Sequence, residues 1–263
     1  MLHITKTLFL WYLVAALLGS RVSFSAPFSD KPVNGDSVAV VRRGYVLMDP
    51  WENYNRKNYR SSCKINDEIA RPLSIAYVKK LPSFVPLVVN NFFENVNDVR
   101  TVVNDLLQAR LGKFFSDFIR VLLNTFFGVF GLGDAAGVLG WSKNYQDFGL
   151  TLARWGFSPG PYLFLPIIGP ATMRSGIGSL VDQVWDPVLY LPGRFFLLFL
   201  WGVNNLSNLV SVESLVLSSI IDRYTFIRSA YWQRRVYLMT DGDFYKNVLS
   251  QLELDEIMKD PLK

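Results

Sequence analysis

Apolar positions recur along most of this chain with a helical period. After Asp98, the residues Val99, Val102, Val103, Leu106 and Leu107 stand three and four apart, which places all five on one face of a helix. Gly112 is the expected stop. A second helix is predicted from Lys113, with Phe114, Phe118, Leu122 and Phe126 in one row and Phe115, Ile119, Leu123 and Phe127 in the next. An earlier helix is predicted from Pro82, a residue suited to a first turn, through Phe84, Val88 and Phe92. With few segments alternating as strands do, the pattern predicts an all-α fold built from amphipathic helices.

The two ends differ from this body. Met1–Ala26 carries Lys6, an apolar run from Leu8 to Leu18 and then Gly19 and Ser20, the layout of a secretory signal peptide. Residues 27–48 read as a flexible lead-in, 49–241 as one helical domain, and 242–263 as a polar C-terminal tail with helical potential. Two uncharged runs invite a membrane-span reading. Trp155–Met173 is interrupted by Pro159, Pro161, Pro166 and Pro170, and Phe195–Val212 carries Asn204, Asn205, Ser207, Asn208 and Ser211 in its second half. Helices lying in an interface, or packed around a protected interior, fit both better.

Composition sharpens this. Hydrophobic residues make up 50% of the chain, aromatics 15% and charges 19%, against about 25% charged in an average soluble protein. The balance suits a body partly immersed in lipid. The 27 basic residues, of which the leader removes Lys6 and Arg21, face 22 acids and form no dense run, so nucleic acid is not an expected partner. The only histidine, His3, lies in the leader, which removes histidine-based zinc sites, Ser-His-Asp triads and histidine general bases. Cys63 is the only cysteine, so no disulfide forms within one chain, and it reads as structural.

Three motifs resemble chemical sites. Gly156-Phe157-Ser158-Pro159-Gly160 matches the G-x-S-x-G of lipases, but Pro159 has no N–H to offer an oxyanion and no histidine activates Ser158. The glycines Gly128, Gly131, Gly133 and Gly137 follow no strand and lead to no Gly-Lys-Ser/Thr, so they read as an apolar hairpin able to move, interleaved with Phe126, Phe127, Val129, Phe130 and Leu132. Asp67, Glu68, Asp182 and Asp186 read as solvated or helix-capping acids rather than an acid–base pair.

A long series of motifs runs in order along the body of the chain. It begins with Asp49-Pro50-Trp51-Glu52-Asn53-Tyr54-Asn55-Arg56, Ile65-Asn66-Asp67-Glu68 and Asn91-Phe92-Phe93. Arg120 to Asn124 and the Gly128–Gly137 segment follow, then Asp147-Phe148-Gly149-Leu150-Thr151-Leu152, Trp155-Gly156 and Gly160-Pro161-Tyr162. Leu165-Pro166, Gly169-Pro170, Arg174, Asp186-Pro187, Arg223-Tyr224, Arg228, Tyr231, Gln233 and Arg235 complete it. This order of motifs resembles the MlaA (VacJ) family, and the resemblance implies a ring-like assembly of amphipathic helices with a central amphipathic channel, seated in the periplasmic leaflet of a Gram-negative outer membrane. It implies transport of phospholipid mislocalised in the outer leaflet, association with a porin trimer, and delivery to a periplasmic lipid carrier. It places the gate hairpin at Gly128, Phe130, Gly131, Leu132, Gly133 and Gly137. Lys143, Arg154 and Arg174 are the candidate contacts for a lipid phosphate. No catalytic residue, cofactor or metal is implied.

The chain departs from the family in two places. Ser20 stands where the acylated cysteine of a lipoprotein would be, which predicts a leader without lipid attachment, and Arg60-Ser61-Ser62-Cys63 reads as an insertion. Two other readings stay open: an envelope scaffold bound to a porin, and a phospholipid hydrolase using Ser158.

Overall fold

The computed structural model describes residues 49–166, 168–216 and 220–243. The expected leader, Ser20, the lead-in up to Met48 and the tail from Phe244 lie outside the described residues.

Helix α1 (Glu52–Ile65) runs through a widened π turn (Asn66–Ala70) into α2 (Arg71–Lys80). Pro72 lacks the N–H that would continue the ordinary ladder, and the wide turn, closed by Arg71 N–H donating to the Asn66 carbonyl, stands just before it. The Arg60–Cys63 segment lies inside α1 without interrupting it. Leu81, extended before Pro82, ends α2, and the chain turns into α3 (Phe84–Leu107), the two rods meeting at 117°.

Two expectations change here. The helices predicted from Pro82 and after Asp98 are one helix of 24 residues, because nothing between Phe92 and Asp98 breaks the ladder. Gly112 does not stop it. Ala109 takes the left-handed conformation (φ 56°) that ends the helix, and Gly112 falls in the first turn of α4 (Leu111–Phe126).

Beyond α4 come the short α5 (Ala135–Val138) and α6 (Phe148–Arg154), the latter capped by Asp147 accepting from Leu150 N–H. The proline-rich stretch forms an antiparallel pair, β1 (Tyr162–Leu165) and β2 (Gly169–Thr172), with Tyr162 opposite Thr172 and Leu165 opposite Gly169. These strands were not expected, since four residues are too few for alternation to stand out. Thr172 and Ser175 form a reciprocal capping box at the start of α7 (Met173–Asp182). Two 3-10 turns, Gln183–Trp185 and Pro187–Tyr190, lead to α8 (Arg194–Val216) and α9 (Arg223–Met239). The described residues are thus mostly helical, as the sequence predicts. No single helix among them is long and apolar enough to cross a membrane.

Among the described residues, two small clusters gather buried apolar side chains. One joins Tyr162, Phe164, Tyr224 and Trp232, flanked by Tyr59, Ile227 and Tyr231. The other joins Phe93, Val96 and Val188 with Val89, Phe92 and Leu197. Much of the remaining interior is polar.

Candidate functional site

From Asp98 onward, α3 and the whole of α4 bury polar residues and expose apolar ones. The buried row of α3 is Asp98, Thr101, Asn104, Asp105 and Gln108, and that of α4 is Asp117, Arg120 and Asn124. These residues also stand three and four apart, so each forms a face of its own. Asn104 Nδ2 donates to Asp182 at 2.9 Å and its Oδ1 accepts from Thr151 at 2.7 Å. Gln108 donates to Gln146 and to Thr151, both at 3.0 Å. Arg120 pairs with Asp98 at 3.3 Å, and Lys143 reaches the same carboxylate at 3.2 Å. Buried polar groups of this kind need partners, because an orphaned one keeps its full desolvation cost.

The apolar face of the same helices looks outward. Leu106, Leu107, Phe115, Phe118, Ile119 and Leu122 are exposed, and Phe126, Phe127 and Phe130 are 75%, 76% and 76% exposed. Ile177, Leu180, Tyr190, Phe195, Phe196 and Phe199 are exposed as well. In water such a coat is unfavourable by about 25 cal/mol per Å² of apolar area left uncovered. In hydrocarbon it has no such cost, and the polar interior then satisfies itself away from lipid.

Between α4 and α5 the glycine hairpin is pinned at its base. Asn124 is the anchor: its carbonyl accepts from Gly131 N–H and its Oδ1 from Ala136 N–H, both at 2.9 Å, while its Nδ2 donates to Asp134. Arg120 donates to Asp134 at 3.0 Å and to the Trp141 carbonyl at 2.6 Å. Asn91 donates to the Leu132 carbonyl at 3.1 Å. Burial works against the Asp134 carboxylate, but the Gly137 N–H, Arg120 and Asn124 outweigh it and hold its pKa below the ordinary aspartate value. Val129 and Phe130 adopt the left-handed region (φ 53° and 56°), a strained conformation for β-branched or bulky residues. The hairpin therefore shows apolar side chains from a tied backbone.

The remaining motif residues are clamps. Asn55, fully buried, donates to Asp49 (2.7 Å) and to the Tyr162 carbonyl (3.0 Å) and accepts from Phe164 N–H (2.9 Å), fastening α1 to β1. Arg56 binds Glu52 and Asp222, and its guanidinium sits 4.6 Å from the centre of the Tyr224 ring. Asp147, besides capping α6, pairs with Arg235 of α9. Gly149 and Gly178 let α6 and α7 meet backbone to backbone: a Cβ on Gly178 would stand 2.3 Å from the Gly149 nitrogen. Phe148 packs edge-on against Trp155 and Trp185. Gly160 (φ 66°) turns the chain through Pro161 to the buried Tyr162. Asn66 lies in the π turn, beside the exposed Asp67 and Glu68.

The three candidate phosphate contacts have different surroundings. Lys143 is held by Glu94 (2.5 Å) and Asp98, Arg174 is buried with its Nη1 on the Phe157 carbonyl (2.5 Å), and Arg154 is exposed. Ser158 is exposed between α6 and β1, so a helix precedes it and a strand follows, the reverse of a nucleophile elbow. Asp182 accepts from Phe148 N–H and Asp186 from Val188 N–H, so both cap helical turns. Among the buried polar residues, Asp98, Asn104, Asp105, Gln108 and Asp117 were missed as a group. Their signal was available, a polar row repeating at the spacing of the apolar one, but spacing does not say which row faces inward.

Comparison with known proteins agrees with the motif order. The model of the MlaA lipoprotein family matches residues 47–238. A Rickettsia bellii protein is 34% identical over 193 residues, spanning 72% of this chain and 76% of its own. The Shigella flexneri intermembrane phospholipid transport system lipoprotein MlaA is 29% identical over 201 residues, spanning 74% and 80%. A solved structure described as the structural basis for maintenance of bacterial outer membrane lipid asymmetry superposes with a TM-score of 0.64 at 28% identity, covering 73% of this chain and 98% of that one. With the match extending across nearly all the described residues, the chain belongs to the MlaA family.

Proposed function

We propose that this protein is a component of intermembrane phospholipid transport, removing phospholipid mislocalised in the outer leaflet of a Gram-negative outer membrane and so maintaining lipid asymmetry. It sits in the periplasmic leaflet, beside a porin trimer, as a ring of helices around an amphipathic channel, and passes lipid to a periplasmic carrier. It is not an enzyme. The supporting observation is the inverted burial of α3 and α4, with Arg120, Asp98 and Asp117 inside and Phe126, Phe127 and Phe130 outside. A body of this kind is at home in hydrocarbon, with its own polar groups paired inside. The Gly128–Gly137 hairpin is the gate flanking the channel, moving as a tied unit on Asn124 and Arg120. Of the three cations considered, exposed Arg154 is the one to meet a lipid phosphate first, with Lys143 and Arg174 spent largely on protein partners.

Deleting the gene is expected to raise surface phospholipid, read by accessibility of outer-leaflet lipid to a phospholipase, and mass spectrometry of the purified protein is expected to find bound phospholipid. An unchanged outer leaflet overturns the transport reading. Recovery of a porin with no lipid in the same preparation favours the scaffold.

A further inference from the structure

The joint between α3 and α4 contains a pair of acids that the transport reading does not use. Asp105, in the last turn of α3, is fully buried, and neither of its carboxylate oxygens has a hydrogen-bond acceptor's usual donor. It lies against Asp117 of α4, itself 1% exposed. The cation in reach is Arg110, 3.2 Å from Asp105, but Arg110 also binds both oxygens of Asp241 at 2.6 Å, just beyond α9. On its other side Asp117 accepts from Asn144 Nδ2 at 3.2 and 3.0 Å, and Asn144 accepts from Lys113 at 3.2 Å. Asp105 and Asp241 thus share one guanidinium, and Asp117 stands beside the buried member of the two. Two buried carboxylates in contact cannot both ionise cheaply.

We propose that Asp105 carries a proton, donated to Asp117, that keeps the α3–α4 joint closed, and that losing it loosens this joint together with the α9 terminus that Arg110 holds. Burial, reinforced by the adjacent Asp117 carboxyl and opposed by Arg110, pushes the Asp105 carboxyl up to about 7. Because the folded-state value lies above that of an unfolded aspartate, about 3.9, the native state binds the proton more tightly. Its stability falls as pH rises between those two values and levels off above the upper one. The switch therefore works around neutrality, closed on the acid side. It lies between the two helices that carry the hairpin, but its test does not depend on transport.

Hydrogen exchange on the full chain in detergent micelles, corrected for the intrinsic pH dependence of amide exchange, tests it. Amides of residues 105–117 and of the end of α9 are expected to exchange several-fold faster at pH 8 than at pH 5.5. Asp105→Asn, whose amide donates to Asp117 as that proton does, is expected to stay slow at both. Equal protection of the unaltered chain at the two pH values overturns the proposal, as does a pH step that survives in Asp105→Asn. Asp117→Asn supplies the same reading if the first variant does not fold.

Discussion

Arg228 Nη1 donates to Asp49 Oδ2 at 2.8 Å, joining residues 179 positions apart in the chain. The same oxygen accepts from the Tyr224 hydroxyl at 2.5 Å, and Arg228 also reaches Glu52 at 3.3 Å. The start of α1 is thereby locked to α9. Removing one partner of such a buried pair leaves the other uncompensated, at a cost of about 3 kcal/mol or more. Arg228→Ala and Asp49→Ala are each expected to lower the melting temperature measured by circular dichroism by several degrees. Unchanged melting in both would show the clamp to be dispensable.

The hairpin glycines are expected to differ. A Cβ on Gly128 would stand 2.2 Å from the Gly133 carbonyl oxygen, and one on Gly131 would stand 2.5 Å from Asn95 Nδ2 at a φ of +86°. At Gly133 the nearest atom is 3.6 Å away, ordinary contact. Gly128→Ala and Gly131→Ala should therefore impair removal of outer-leaflet lipid and raise surface phospholipid in a cell assay, while Gly133→Ala remains close to wild type. Equal tolerance at all three positions would remove the hairpin from the mechanism.

The proposed seating in a membrane gives the aromatic coat a measurable role. Burying a phenylalanine side chain is worth about 1.5–3 kcal/mol, so Phe126→Ser with Phe130→Ser should weaken partition into phospholipid vesicles at least tenfold, read by co-sedimentation. Since both side chains are largely exposed, helix content is expected to stay constant. Undiminished partition places the lipid contact elsewhere.

At the α6–α7 crossing, Gly178→Ala puts a methyl group where the Gly149 backbone lies 2.3 to 2.7 Å away. Overpacking of this kind costs about 1–3 kcal/mol, and the denaturation midpoint should fall accordingly. No fall would mean that the two helices separate without loss.

Much of this fold was legible in the sequence, because α3 and α4 carry long periodic rows whose helical period is unambiguous. Their polarity of packing was less so. Val99, Val102 and Val103 predict an apolar face, but only contacts such as Asn104 with Asp182 and Gln108 with Gln146 show that the opposite face is the interior. Gly112 misled because a glycine after a periodic run resembles a stop, whereas Ala109 made the turn. The ion pairs Arg228–Asp49 and Arg235–Asp147 bring together residues far apart in sequence, and no local pattern announces them. The motif order, which spreads over the whole body, carried the family.

A chain with charge inside and phenylalanine outside also inverts the usual map of mutational tolerance. If these side chains meet lipid as proposed, one apolar residue should replace another freely at Phe115, Leu122 or Phe127, since fluid lipid takes any shape. At Asp98, Asn104 or Arg120 even a conservative exchange must satisfy fixed partners. A saturation library scored for outer-membrane integrity should find its intolerant positions among the polar residues of these helices, where a water-soluble protein would show them among its leucines and valines.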